Sequence, residues 1–248
     1  MDASRSTRRR VFPALALLVV VAGAIVAYFV WPKKKVAPKS DLVAATQANT
    51  RGVGHMERFE FPEAQKTFEE AVRLAPDWLT ARINLGIAQF NQQQPGDKTI
   101  SEHLASAKKT FNSVLADDAN NPYAHYCLGI IAYFLNEVAE AYGHFVMVRD
   151  VDANDPHTWL RIGMTHPDGE RSPAAIVCFE TALKLDPYMN EARYRLARAI
   201  IGDDQKRGEE LLNDHKKWLE SDQFTESRIQ YAETVSYTHL TLPTNREV

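Results

Sequence analysis

The stretch Leu128–Asn154, LGIIAYFLNEVAEAYGHFVMVRDVDAN, decides the fold by its spacing. Gly129, Ala141, Phe145 and Val148 follow one another in steps of 12, 4 and 3. Thirty-four residues further on, Gly163, Ala175, Phe179 and Ala182 repeat the same steps, and so, upstream, do Gly52, Ala64, Phe68 and Ala71. In these two copies a proline comes five residues later, Pro187 and Pro76; in the quoted copy Ala153 stands in its place. Leu85-Gly86 with Ala107, Phe111 and Val114 makes another copy, except that its step from Gly to Ala is 21. The difference is an insertion of nine residues, and NQQQPGDKTIS (Asn91 to Ser101), polar and Pro-Gly-bearing, reads as the loop that holds it. A fixed period of this size signals a repeat architecture before any local structure is assigned.

These residues in this register resemble the tetratricopeptide repeat family, over residues 45–220 and about five helix pairs. The physics of the pattern agrees. Small residues such as Gly129 and Ala141 let two antiparallel helices approach closely, while Phe145 is expected to fill the space between one helix pair and the next. Ala75-Pro76 and Asp186-Pro187 stop the second helix of a pair, because proline donates no hydrogen bond and clashes with the preceding turn. Each pair alone would expose an apolar face, so the copies must stack. THPDGERSP shortens the first helix of the fourth copy. In the fifth, Leu196 and Ala197 keep the register, but Glu209 takes the place of Ala175 and GDDQKRGEELLNDHKKWLESD is strongly polar, which reads as an atypical, capping pair.

Ahead of the repeats, Val11 to Trp31 carries no charge, long enough as a helix to cross a bilayer. Residues 1–10 form a basic tail, 11–31 a transmembrane anchor and 32–44 a linker with Pro32 and Pro38. A cleavable signal peptide is the competing reading, because Ala22-Gly23-Ala24 has the form of a cleavage site. The apolar run continues past it, however, and cleavage would leave IVAYFVW at a new N-terminus, which favours an uncleaved anchor. The RRRVF sequence is only a weak match to a twin-arginine export signal. Arg5 and Arg8 to Arg10 are balanced by Lys33 to Lys35 and Lys39, so the positive-inside rule ties. The short Arg-rich tail decides the orientation: an inner (cytoplasmic) membrane protein of single pass, with its repeats on the periplasmic or extracytoplasmic side. The expected architecture is thus an all-α tetratricopeptide-repeat superhelix preceded by one transmembrane helix.

At the other end, TESRIQYAET reads as a helix cut off in mid-course, so residues 221–234 are the start of a continuation. Residues 235–248 match nothing in the repeat. VSYTHLTL alternates like a strand with no sheet to join. Back-translated, Val235 to Thr244 resembles a sequencing-library adapter read in frame, and the tail reads as non-native.

Lys and Arg number 29 against 32 Asp and Glu, a net charge of −3, which leaves no basic excess for a phosphate backbone and excludes nucleic acid as the main partner. Cys127 and Cys178 lie in no CxxC arrangement and read as small buried residues. Neither a phosphate-cradling loop, an HExxH, a GxSxG nor zinc spacing occurs, so no catalytic residue, metal ligand or cofactor site is expected. His157, His166 and Asp168 flank one helix, and nothing sets a nucleophile or third ligand beside them; they read as surface or helix-end residues.

The resemblance implies a concave groove lined by the first helix of each pair. Carried over, its positions are Thr80, Ile83, Ile87 and Phe90, then Tyr123, Tyr126, Ile130, Tyr133 and Phe134, then Tyr194 and Arg198. Relatives that clamp a terminal carboxylate use lysines and asparagines there; this chain has Asn49 but then Val53, Ile83, Ile87, Tyr126 and Ile130, which suits an apolar or helical peptide better. A helical apolar stripe is also what a core looks like, so each aromatic has that second reading. The expected function is a non-enzymatic, membrane-anchored scaffold or adaptor for a protein or peptide partner; the alternative is an accessory part of a longer enzyme or receptor.

Overall fold

The computed structural model describes residues 41–93 and 101–220. The expected span 11–31, the tail 235–248 and the middle of the insertion lie outside the described residues. Among those described, every regular element is an α-helix, and no helix is long and apolar enough to cross a membrane. The helices are α1 (Leu42–Glu57), α2 (Phe61–Leu74), α3 (Leu79–Phe90), α4 (Glu102–Asp117), α5 (Pro122–Phe134), α6 (Val138–Val151), α7 (Pro156–Met164), α8 (Pro173–Leu185), α9 (Asn190–Ile200) and α10 (Gln205–Glu220). They pack as five consecutive pairs, α1 with α2 through α9 with α10, each pair resting on the next. In addition α1 touches α3 and α3 touches α5, so the first helices of the first three pairs lie side by side.

Within four of the pairs a phenylalanine lies against a glycine. A Cβ on Gly52 would stand 2.5 Å from the Phe68 ring, on Gly86 2.6 Å from Phe111, on Gly129 2.7 Å from Phe145 and on Gly163 2.5 Å from Phe179. No side chain fits at such distances without displacing the ring. Phe68, Phe111, Phe145 and Phe179 are all fully buried, and Ala64, Ala107, Ala141 and Ala175, one turn before them, are equally inaccessible. The fifth pair has Ala197 in the glycine position and an exposed Asn213 in the phenylalanine position. Without a ring to admit, its close approach moves to Gly208 of α10, where a Cβ would stand 2.8 Å from the Cα of Ile201.

The ends of the helices repeat as faithfully as their centres. After α2, α4, α6 and α8 the chain turns out at Ala75, Asp118, Asp152 and Asp186 with φ of −138°, −136°, −134° and −132°. Each donates its N–H to the carbonyl four residues back at 2.8 to 2.9 Å. The three aspartates also accept the N–H two residues on, from Asn120 (3.3 Å), Asn154 (2.9 Å) and Tyr188 (2.9 Å), which fixes the turn into the next pair. Helix starts use the usual side-chain acceptors: Asn121 takes the Ala124 N–H, Asp155 the Thr158 N–H and Ser172 the Ala175 N–H, each followed by a proline in the first helical turn.

Between the two helices of a pair, Asn136 (φ 63°) and Phe59 (φ 58°) occupy corresponding left-handed positions. Asparagine tolerates this conformation, whereas the Phe59 Cβ crowds the following carbonyl; its ring rests edge-on against Phe61, with centroids 6.1 Å apart. The insertion leaves the second pair intact because its base is closed: the Ser101 hydroxyl donates to the Gln93 side-chain carbonyl, and Thr110 donates to Gln89 at 2.8 Å.

Buried side chains form one long core from Met56 to Ile162 and Cys178, and a second around Leu160, Phe179, Met189 and Leu196; Tyr133 and Trp159 pack on both. A small core around Ala48, Ala71 and Ala81 joins the first pair to the second.

One polar contact sits between α5 and α6. His125 Nε2 donates to the Ala119 carbonyl at 3.0 Å, which leaves its Nδ1 to accept from His144 Nδ1 at 2.9 Å. Burial, His125 and Lys108 hold the His144 pKa below its ordinary value, with Glu140 opposing. The unfolded chain therefore binds this proton more readily than the folded one, and the contribution to stability is present above the unfolded histidine pKa of about 6.5 and lost as pH falls from there through the lower folded-state pKa.

Two results are expected. Phe179→Ala removes a ring with no space to collapse into and lowers the unfolding free energy by about 3–5 kcal/mol in a urea titration; a loss below about 1 kcal/mol contradicts this packing. The melting temperature drops between pH 7.5 and pH 5.5, and less steeply in His144→Gln; an unchanged slope in that variant removes His144 from the account.

Candidate peptide-binding face

The expected groove residues lie on α3, α5 and α9, the first helices of the second, third and fifth pairs. They divide by depth. Tyr123, at the start of α5, is 40 % exposed and Arg198, in the last turn of α9, is exposed. Thr80, Phe90, Ile130, Tyr133, Phe134 and Tyr194 are half-buried, with one side against the core and the other toward solvent. Expected at the groove surface, Ile83 and Ile87 are instead 2 % exposed, and Tyr126 is 7 % exposed.

The reason lies in α3 and α5, which have helices packed on several sides. Eight of the twelve residues of α3 are buried, from Ala81 through Gln89, so its inward stripe is core. Tyr126 meets the Phe145 ring edge-on at 5.7 Å, and burial pushes its hydroxyl pKa up, with Arg161 alongside opposing. These three residues shape the face from beneath and present no surface to a partner.

Tyr194 and Arg198 form a small stack of their own at the far end. The Arg198 guanidinium lies 5.7 Å from the centre of the Tyr194 ring, within cation–π range. The other contact of that ring is His215 of α10, at 5.0 Å and inclined by 30°. Burial holds the His215 pKa below its ordinary value, which favours the neutral ring against Tyr194.

One polar pair on this face was not legible in the sequence. Asn84 of α3 donates to Asn49 of α1 at 2.8 Å, both buried, and the Asn84 side-chain carbonyl has no hydrogen-bond partner among the described residues. Reading Asn49 alone gave no signal for it, because the two asparagines are 35 residues apart and meet only when the first and second pairs stack.

Among the described residues, the histidines and cysteines lie apart from the face or serve its packing. The α7 helix separates His157, in its first turn, from His166, beyond its end. His166 Nδ1 accepts the Asp168 N–H at 3.3 Å, and the ring is capped by Tyr142 at 5.5 Å. Burial raises the thiol pKa of Cys127 and of Cys178, so both are held as thiols. Among the described residues no three metal-ligating side chains converge.

No family model matches the chain. Among solved structures, MamA residues 41 to the end from Desulfovibrio magneticus RS-1 superposes with a TM-score of 0.59 at 20 % identity, over 72 % of this chain and 97 % of that one. The pilF structure from Pseudomonas aeruginosa superposes with a TM-score of 0.60 at 16 % identity, over 70 % of this chain and 76 % of that one. A curated relative, the peroxisomal targeting signal receptor of Candida glabrata, is 30 % identical over 95 residues, 38 % of this chain. The match spans only 16 % of that receptor's length. Together with the repeated Gly–Phe packing, these likenesses show the fold of the described residues: an all-α superhelix of the tetratricopeptide-repeat type.

Proposed function

We propose that this chain is a membrane-anchored scaffold or adaptor that binds a protein or peptide partner through the face of its first helices and performs no chemistry of its own. The observation that carries the reading is the row of rings on that face: Phe90, Tyr133, Phe134 and Tyr194 half-buried, with Tyr123 exposed beside them. Rings held on one side by the core are already ordered, so a partner gains their contact area at little entropic cost, and tyrosine brings a hydroxyl that can stay hydrated or pair. That a curated relative is named as a receptor for a targeting signal supports peptide recognition as the mode.

The anchor rests on the uncharged run Val11 to Trp31, and the orientation on the Arg-rich tail before it. On this reading the array sits at the inner membrane with its repeats on the extracytoplasmic side, where tethering confines it and its partners to one surface and raises their effective concentration.

A photo-crosslinking residue placed at Tyr123 is expected to trap a partner in intact membranes, and one at Glu69, exposed on α2, is not; equal trapping at both positions, or at neither, overturns the face as the binding surface. Protease added to intact spheroplasts is expected to degrade the repeats, and full protection reverses the orientation.

A further inference from the structure

The α9 helix and the loop leading from α7 to α8 border a cleft of about 290 Å³, lined by Glu170, Arg171, Arg195, Arg198 and Ala199. This is the lower edge of the size range of small-ligand pockets, about 300–1,000 Å³, and suits one side chain better than a cofactor. Its three arginines are not equivalent. Arg195 is spent within the protein: Nη1 donates to both carboxylate oxygens of Glu170 at 3.0 and 3.1 Å, and Nε to Glu191 at 2.8 Å. That double pairing holds the guanidinium in place between α9 and the loop and fixes the wall of the cleft.

Arg171 and Arg198 make no ion pair among the described residues. Arg171 is exposed at the loop, and Arg198 is held over the Tyr194 ring, which is itself stacked on His215. A guanidinium resting on a ring keeps its in-plane donors free for a planar acceptor. Three guanidiniums and the Glu170 carboxylate line the cleft, and even with Glu191, which pairs with Arg195 from outside the lining, one positive charge is in excess, in a chain whose net charge is −3. The excess is therefore local and is not part of a general attraction for polyanions.

We propose that this cleft anchors one carboxylate of the bound partner between Arg171 and Arg198. A single carboxylate matches the single excess charge and the fork geometry of guanidinium. A phosphate dianion fits less well, because its second negative charge would face Glu170 with no further cation to balance it. The inference deepens the proposed function, from which it takes its partner. It adds a carboxylate anchor at the α9 end to the proposed aromatic face, and hence a direction along which the bound peptide lies.

The test reads the cleft without the aromatic face, so failure of one leaves the other standing. The full chain, kept in solution by a non-ionic detergent, is titrated while the side-chain Nε–H signals of its arginines are followed by nuclear magnetic resonance. Four probes are compared: N-acetylglutamate α-amide for a side-chain carboxylate, N-acetylalanine for a chain terminus, N-acetylglutamine α-amide as neutral control, and inorganic phosphate. Saturable shifts of Arg171 and Arg198 with either carboxylate probe, not shared by Arg51 on α1, are expected, and the tighter of the two identifies the source. Arg171→Gln is expected to weaken the response of Arg198 by roughly fivefold, the upper end of what one exposed ion pair contributes. The proposal is overturned if the neutral probe moves the same signals as far, if Arg51 moves with them, or if phosphate saturates at the lowest concentration.

Discussion

Everything in this array depends on a ring pressed onto a bare backbone. In four successive pairs the phenylalanine edge approaches a glycine so closely that even a methyl group could not stand there. That contact sets the distance between the two helices, and the distance decides which neighbouring positions must be alanine. It also accounts for the fifth pair, where loss of the ring at Asn213 goes with the loss of glycine at Ala197. The two positions change together because either change alone leaves a hole or a clash. The repeated cap geometry works at the other scale: the chain leaves four successive pairs with nearly the same φ, so that local packing accumulates into a superhelix.

The architecture was legible in the sequence because its determinants are few, small and periodic. Gly129, Ala141 and Phe145 can be recognised one copy at a time and then checked against Gly163, Ala175 and Phe179. The depth of the candidate site was not legible in the same way. The first helices have neighbours on several sides, so their apolar residues recur around much of the circumference, and periodicity cannot separate the residue facing solvent from the one facing the next pair. Ile87 and Ile130 look alike in sequence, yet one is core and the other half-buried. Only stacking tells them apart, because what covers a side chain belongs to a different copy.

Charge was harder still. Arg171 reads as part of a polar loop and Arg195 as one of several cations on α9. What distinguishes them is which carboxylates they meet: Glu170 and Glu191 neutralise Arg195 and leave its neighbours unpaired. A linear sequence records three arginines and two glutamates but not which of them remain available. Spatial pairing turns that surplus into a site.

The insertion in the second pair has a use beyond its own sequence. Its two ends are tied at Gln93 and Ser101, and the Gly86–Phe111 contact next to it is as close as in the uninterrupted copies. The pair therefore does not register how much chain is looped out between those ends. Closing a longer loop costs only about 0.6 kcal/mol for each doubling of its length. The position is thus an entry port for grafting: an epitope, a reporter or a second binding module can be spliced between α3 and α4 without retuning the array that carries it.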